Sequence, residues 1–326
     1  MQRRAFLKDS LLLGMSSLAA KCGNSRNWQV AAFKRNASSQ VAILKAASYE
    51  QSLTRIVIDG IRAFRLAVAG KKVLLKPNLV EYERETVINT HPALVGATIE
   101  AFLQLGAKEV KVGEGAGHRR DTDGLLVASG LVPYLRDTRS EFIDLNLDDT
   151  RKVPLLSQFM GINSLLLPES VLSADLLVSM PKIKTHHWVG MTLSMKNLFG
   201  IIPGVKYGWP KNFLHWHGIH ESIVDINSTV RPHFVIVDGI VGMEGNGPIQ
   251  GTPKACGLLI FGDDPVAVDA SCARVAGLKP ERIKYLQMAG EFLGNLEESR
   301  IEQIGEILSS VRSPFEVIDN FKYLKA

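Results

Sequence analysis

Between residues 41 and 289, short apolar runs alternate with amphipathic stretches of helical period, and few architectures accommodate that rhythm. Val41-Ala42-Ile43-Leu44, Lys72-Val73-Leu74-Leu75 and Glu109-Val110-Lys111-Val112 read as strands. Between them, 53–67 reads as a helix, and a second helix begins at Pro92, runs to Leu105 and is closed by Gly106. The second half repeats the habit: strands at 175–179, 234–237 and 258–261, and helices at 214–229, 264–276 and 281–289. The pattern predicts an α/β fold of mostly parallel sheets with helices on both faces. The chain divides into two similar lobes, 40–160 and 165–326, around a cleft.

Arg3-Arg4-Ala5-Phe6-Leu7-Lys8 precedes an apolar stretch from Ser10 to Ala20, which reads as a twin-arginine export signal over residues 1–30, with 31–39 as linker. The apolar stretch falls well short of the ~20 residues that a helix needs to cross a bilayer. No later segment is longer and free of charge, so no transmembrane span is expected in the mature protein. The expected partner of the precursor is the twin-arginine export machinery, and the expected location is periplasmic or otherwise extracytoplasmic. A lipid anchor at Cys22 is disfavoured by Lys21 before it, where such sites take a small side chain.

The formal charge of +5 belongs mostly to this leader, in which Arg3, Arg4, Lys8, Lys21 and Arg26 face only Asp9. A body near neutrality, with no basic run interleaved with aromatics, argues against nucleic acid as a partner. The three cysteines, Cys22, Cys256 and Cys272, are too few for a disulfide framework or for a usual iron-sulfur cluster. No dinucleotide fingerprint or phosphate loop follows any strand, and neither a His-Glu-x-x-His helix nor a Gly-x-Ser-x-Gly elbow occurs.

Polar residues gather instead where strands end, the place where open α/β sheets bind ligands. Lys76-Pro77-Asn78 follows the second strand, and Glu114-Gly115-Ala116-Gly117-His118 with Arg119 follows the third. Pro181-Lys182-Ile183-Lys184-Thr185-His186-His187 leaves the strand at 175–179 as a basic loop, and Asp238-Gly239 and Gly262-Asp263-Asp264 follow two more. Lysines and imidazoles so close together suit a clamp for an acid or a phosphate, and Arg119 adds a bidentate fork. A glycine-rich loop, Met243-Glu244-Gly245-Asn246-Gly247-Pro248, offers backbone amides to a ligand. Glu244 with His186 and Asp238 makes an oxygen-nitrogen set suited to a divalent metal. Lys196 and Asn197 are adjacent on a short helix stopped by Gly200 and point about 100° apart. His91, before Pro92, reads as a helix-start residue, and His217 with Glu221, four apart on one face, as either a ligand pair or an ordinary surface hydrogen bond.

Lys76-Pro77-Asn78, Pro181-Lys182-Ile183-Lys184-Thr185-His186, Lys196-Asn197-Leu198-Phe199-Gly200, the Asp238-Gly239 to Gly247-Pro248 stretch and Gly262-Asp263-Asp264-Pro265-Val266-Ala267-Val268-Asp269 occur in series, and together they resemble the domain-of-unknown-function family 362 (DUF362) over roughly residues 40–290. The family has no settled general activity. Some members carry a cysteine-rich ferredoxin-like module, which this chain lacks, so no iron-sulfur cluster is expected. A more distant likeness, at the level of fold analogy, is to the nickel-dependent lactate racemase group.

These features point to a protein that binds a small anionic molecule. It would act either as a metal-dependent lyase, hydrolase or isomerase or as a non-enzymatic ligand-binding or assembly protein of the exported compartment. On the enzymatic reading Lys76, Lys182 and His186 are catalytic, and Asn78, Lys184, Arg119, Lys196, Asn197, Gly245 and Asn246 bind the ligand. His186, Asp238 and Glu244 would hold the metal.

Overall fold

The computed structural model describes residues 32–84, 86–117 and 121–326 of the chain. Residues 1–31, which hold the expected export leader and Cys22, and Arg119 with its neighbours His118 and Arg120 lie outside the described residues.

Twelve strands are present among those residues: β1 (Ser39–Lys45), β2 (Lys72–Pro77), β3 (Glu109–Glu114), β4 (Phe142–Asp144), β5 (Thr150–Pro154), β6 (Ser164–Pro168), β7 (Leu176–Met180), β8 (Lys182–His186), β9 (Gly190–Thr192), β10 (Phe234–Asn246), β11 (Gln250–Gly262) and β12 (Ile301–Gly305). Ten of them form one sheet, whose main path is β12-β1-β11-β10-β7-β2-β3-β4, while β8 pairs with β10 and β9 with β8. β5 and β6 make a separate antiparallel ribbon. The sheet runs without interruption through both halves of the chain, and β1 lies between β11 and β12.

Alternate residues of the central strands enter opposite apolar cores. Val41, Ile43, Leu74, Val235 and Val237 pack on one face with the helices Ile219–Thr229 and Pro265–Val275. Ala42, Val73, Leu75, Phe234 and Ile236 pack on the other with the helices Leu53–Ala63 and Pro92–Gln104. A strand that is apolar on both sides satisfies its two faces only when helices cover both, which is the layered α/β arrangement.

β11 is the exception in direction. It runs antiparallel to both β1 and β10, so Gly262 at its end pairs with Val41 and with Val235 near the beginnings of those strands. The Gly262-Asp263-Asp264 segment therefore lies at the opposite edge of the sheet from the ends of β2, β3, β7 and β10. Asp264 there caps the helix Pro265–Val275, accepting from Val266 N at 3.0 Å, and also accepts from Ser39 Oγ at 2.6 Å and Asn295 N at 2.9 Å. It is a structural cap rather than a ligand contact.

Two expected loops are strands. The basic segment 182–186 is β8, set off from β7 by Pro181, which has no N–H to give the ladder. Its carbonyl instead accepts from Asp238 N at 2.8 Å, and β7 and β8 follow one another along β10. Glu244, Gly245 and Asn246 complete β10, with Glu244 opposite Thr252 and Asn246 opposite Gln250, which leaves only Gly247-Pro248-Ile249 as the turn. The expected helix 214–229 breaks into Asn212–Trp216 and Ile219–Thr229 around Gly218, whose φ of 94° a helix cannot contain. Among the described residues no helix is long and apolar enough to cross a membrane.

Candidate functional site

Beyond the ends of β2 and β3 lies a cavity of about 390 Å³, lined by segments from 76 to 250. Its floor is an ion pair buried out of water. Lys76 Nζ donates to Glu114 Oε2 at 2.7 Å, Asn197 Oδ1 at 2.9 Å and Pro77 O at 2.8 Å, which occupies all three of its hydrogens. Glu114 in turn accepts from Leu79 N and Gly115 N, both at 2.9 Å. Asn197 Nδ2 donates to Lys76 O at 3.0 Å and Ser179 Oγ at 3.1 Å, so β2, β3, β7 and the helix Ser194–Asn197 are joined at one point.

That short helix is itself held from below. Asp269, fully buried, accepts from Ser194 N at 2.8 Å, Ser194 Oγ at 2.5 Å and Met195 N at 3.1 Å. Burial pushes its carboxyl up to about 7 against the pull of these donors. The cap sets the direction of the two residues that follow, and both Lys196 and Asn197 line the cavity despite their angular separation.

Among the described residues four lysines line the cavity, Lys76, Lys184, Lys196 and Lys211, with Glu114 as the one carboxylate. Lys184, fully buried, donates to Ile88 O at 2.8 Å and Pro248 O at 3.4 Å and pairs with no carboxylate among the described residues. Burial, then the neighbouring Lys182, Lys196 and Lys76, hold its amine well below the ordinary lysine value. Lys211, with a left-handed φ of 69°, donates to Asn146 Oδ1 at 2.6 Å and to Ile202 O. Burial lowers it to about 7, with Glu114 and Lys76 acting in opposite senses. Lys196 lies over the ring of Phe199, 3.7 Å from its centroid, and burial followed by Lys76 brings it down to about 7.

His186 Nδ1 accepts from Trp188 N at 3.0 Å, which places its ring proton on Nε2. Burial, then the nearby Lys196, keep the imidazole neutral, well below its usual value. His187, Trp188 and His215 complete the aromatic wall. Two cavity-lining oxygens, Asn78 Oδ1 and Thr192 Oγ1, are buried without a hydrogen-bond partner among the described residues. Both oxygens are placed to accept a hydrogen bond from a molecule held in the cavity.

Lys182 stands apart from this group. Its ammonium is used up by Asp238 Oδ2 at 2.7 Å, Tyr49 Oη at 2.9 Å and Val241 O at 3.0 Å. Asp238 also accepts from Tyr49 Oη at 2.8 Å and from His91 N at 2.9 Å. His91 stacks on Tyr49 with ring centroids 3.7 Å apart, and its Nδ1 caps the helix Pro92–Gln104 by accepting from Ala93 N at 3.2 Å. This cluster knots β8, β10, Tyr49 and that helix together beside a second cavity of about 360 Å³. With every hydrogen engaged, Lys182 has none to offer a reacting group.

The suggested metal set of His186, Asp238 and Glu244 is not assembled. His186 faces the first cavity, Asp238 belongs to Lys182 and Tyr49, and Glu244 accepts from Glu316 N at 2.9 Å with Lys254 3.5 Å away. Among the described residues no group of three or more His, Cys, Asp or Glu is arranged to hold a metal ion. Gly245 serves through its backbone, donating to Glu316 O and accepting from Thr185 Oγ1, whereas Asn246 reaches the cavity mouth. Lys211 and Thr192 were not singled out from the sequence. Lys211 follows a Trp-Pro turn and nothing local marks it; only its left-handed backbone, rare for lysine, sets it apart.

Residues 73–274 match the family described as Domain of unknown function (DUF362). A thylakoid-associated protein from Synechocystis sp. is 29% identical over 300 residues, covering 86% of this chain and 87% of that protein. Among solved structures, the lactate racemase apoprotein from Thermoanaerobacterium thermosaccharolyticum superposes with a TM-score of 0.46 at 13% identity, covering 73% of this chain and 57% of that one. A Thermotoga maritima protein gives a TM-score of 0.37 at 13% identity, covering 68% of this chain and 57% of its own. The chain thus spans little more than half the length of either solved structure.

Proposed function

Starting from the fact that the chain belongs to the DUF362 family, we propose that it binds a small organic anion, a carboxylate or a phosphate, in the lysine-lined cavity. The observation that carries this reading is the ratio of four lysines to one carboxylate around a largely buried space. Burial and crowding make these amines costly to protonate, which is why Lys184 is held well below the ordinary value and Lys196 and Lys211 lie near 7, and a bound anion offsets that cost. Asn78 Oδ1 and Thr192 Oγ1 favour a ligand that also bears a hydrogen-bond donor such as a hydroxyl. On the same reading the Arg3-Arg4 leader hands the folded chain to the export machinery, so the cavity works outside the cytoplasm.

Calorimetric titration with a panel of small hydroxy acids, keto acids and sugar phosphates tests this. Removing Lys196 as Lys196→Met is expected to weaken the best ligand by about 1.5–3 kcal/mol, the range for a charged hydrogen bond. Binding of no panel member, or equal affinity in the variant, overturns the reading.

The proposal also fixes a pH dependence. Lys196 and Lys211 lie near 7 in the free protein, and an anion favours their protonated forms, so binding takes up protons around and above neutrality. Affinity is therefore expected to be greatest below pH 7 and to fall as pH rises through 7–9, by up to about tenfold per pH unit for each lysine. Titrations in buffers of different ionisation enthalpy measure the proton uptake directly, and a flat affinity across this range counts against the assignment.

A further inference from the structure

The lysines of the cavity are not equivalent. Lys76, Lys184 and Lys211 are each anchored to oxygen acceptors of the protein, whereas Lys196 has a ring face, that of Phe199, as its neighbour. An amine destined only to hold an anion gains from acceptors that fix its direction. One left without them among the described residues, and set close to the Lys76 ammonium, is prepared to act as a nucleophile.

Building on the anion-binding reading, we propose that Lys196 captures the carbonyl group of a small anionic aldehyde or keto acid as an imine, with Lys211 holding the acid group. Lys76 on β2, Glu114 on β3, Lys184 and His186 on β8, and Lys211 are the titratable groups that act on it electrostatically. Lys76, the largest of these influences, disfavours the ammonium, and a value near 7 leaves a large share of free amine at neutral pH. The neutral Nζ attacks the carbonyl carbon, forming a C–N bond while the C=O pair moves to oxygen. That oxygen takes up protons and departs as water, and nitrogen loses its two hydrogens as the C=N bond forms. Amine and carbonyl give imine and water, with no oxidant or reductant needed. Neutral His186, with its Nε2–H, lines the same space and supplies a donor for the oxygen.

Pyridoxal phosphate, an anionic aldehyde, is a suitable probe. Incubated briefly with the whole protein at pH 7 and reduced with borohydride, it is expected to label Lys196 on the order of a hundredfold faster than surface lysines, which are almost wholly protonated there. Peptide mass mapping identifies the site. Lys196→Met should abolish the fast label, and Lys211→Met should slow it without moving it elsewhere. Thermal melting confirms that both variants are folded. Calorimetric binding of the probe without an adduct at Lys196 would sink the imine while leaving anion binding intact. Neither binding nor adduct would remove both.

Discussion

Replacing Asp238 by alanine is expected to destabilise the protein by about 3–5 kcal/mol, the cost of leaving a buried charge without its partner. Asp238 is completely buried and satisfies Lys182 Nζ, Tyr49 Oη and His91 N at 2.7–2.9 Å. Without it the Lys182 ammonium keeps only Tyr49 Oη and a carbonyl, and His91 N loses its acceptor. The double variant Asp238→Asn with Lys182→Met removes both charges; the amide oxygen keeps an acceptor for His91 N and its NH2 can donate to Tyr49 Oη in place of Lys182, so it should recover most of the loss. Urea unfolding of the two variants beside the parent decides the matter. An Asp238→Ala protein within about 1 kcal/mol of the parent shows that the knot is not structural.

Gly200→Ala should be nearly as damaging and for a different reason. A Cβ at this position would lie 1.8 Å from Glu114 Oε1 and 2.5 Å from both Cε and Nζ of Lys76. The atoms it meets are side-chain ends, but they belong to a buried ion pair with every hydrogen of Lys76 engaged, so they have nowhere to retreat. Overpacking of this kind costs about 1–3 kcal/mol, and opening the pair adds to it. Anion binding should fall with stability, because the displaced groups form the cavity floor. Gly117→Ala supplies the control, since among the described residues a Cβ there meets nothing within 4 Å in the same cavity lining, and its stability should stay within about 0.5 kcal/mol. Similar melting temperatures for the two variants contradict the argument.

The strands at 41–44, 72–75, 109–112, 175–179, 234–237 and 258–261 were legible because they are mostly apolar, and helices starting at His91-Pro92 and Asp264-Pro265 because each has its own punctuation. Lys76, Asn78, Lys184, His186, Lys196 and Asn197 were each named from strand ends or short motifs, and one cavity brings them together. Lys182 and Lys184, two residues apart on one strand, look alike in sequence, yet one is tied to Asp238 and the other lies against the cavity. Their difference is made by Tyr49 and Asp238, which come from distant segments.

What the sequence by itself determined, then, is everything governed by local period and chain stiffness: the α/β class, the helix starts and the presence of basic residues at the ends of parallel strands. Tertiary structure decided the direction of β11, which sends Asp264 to the far edge of the sheet, and the pairing of Glu244 within a hairpin instead of a loop. It also decided which lysines find an oxygen and which do not. Strand direction and buried charge pairing depend on contacts between segments separated in sequence by tens to hundreds of residues, and hydrophobic periodicity carries no record of them.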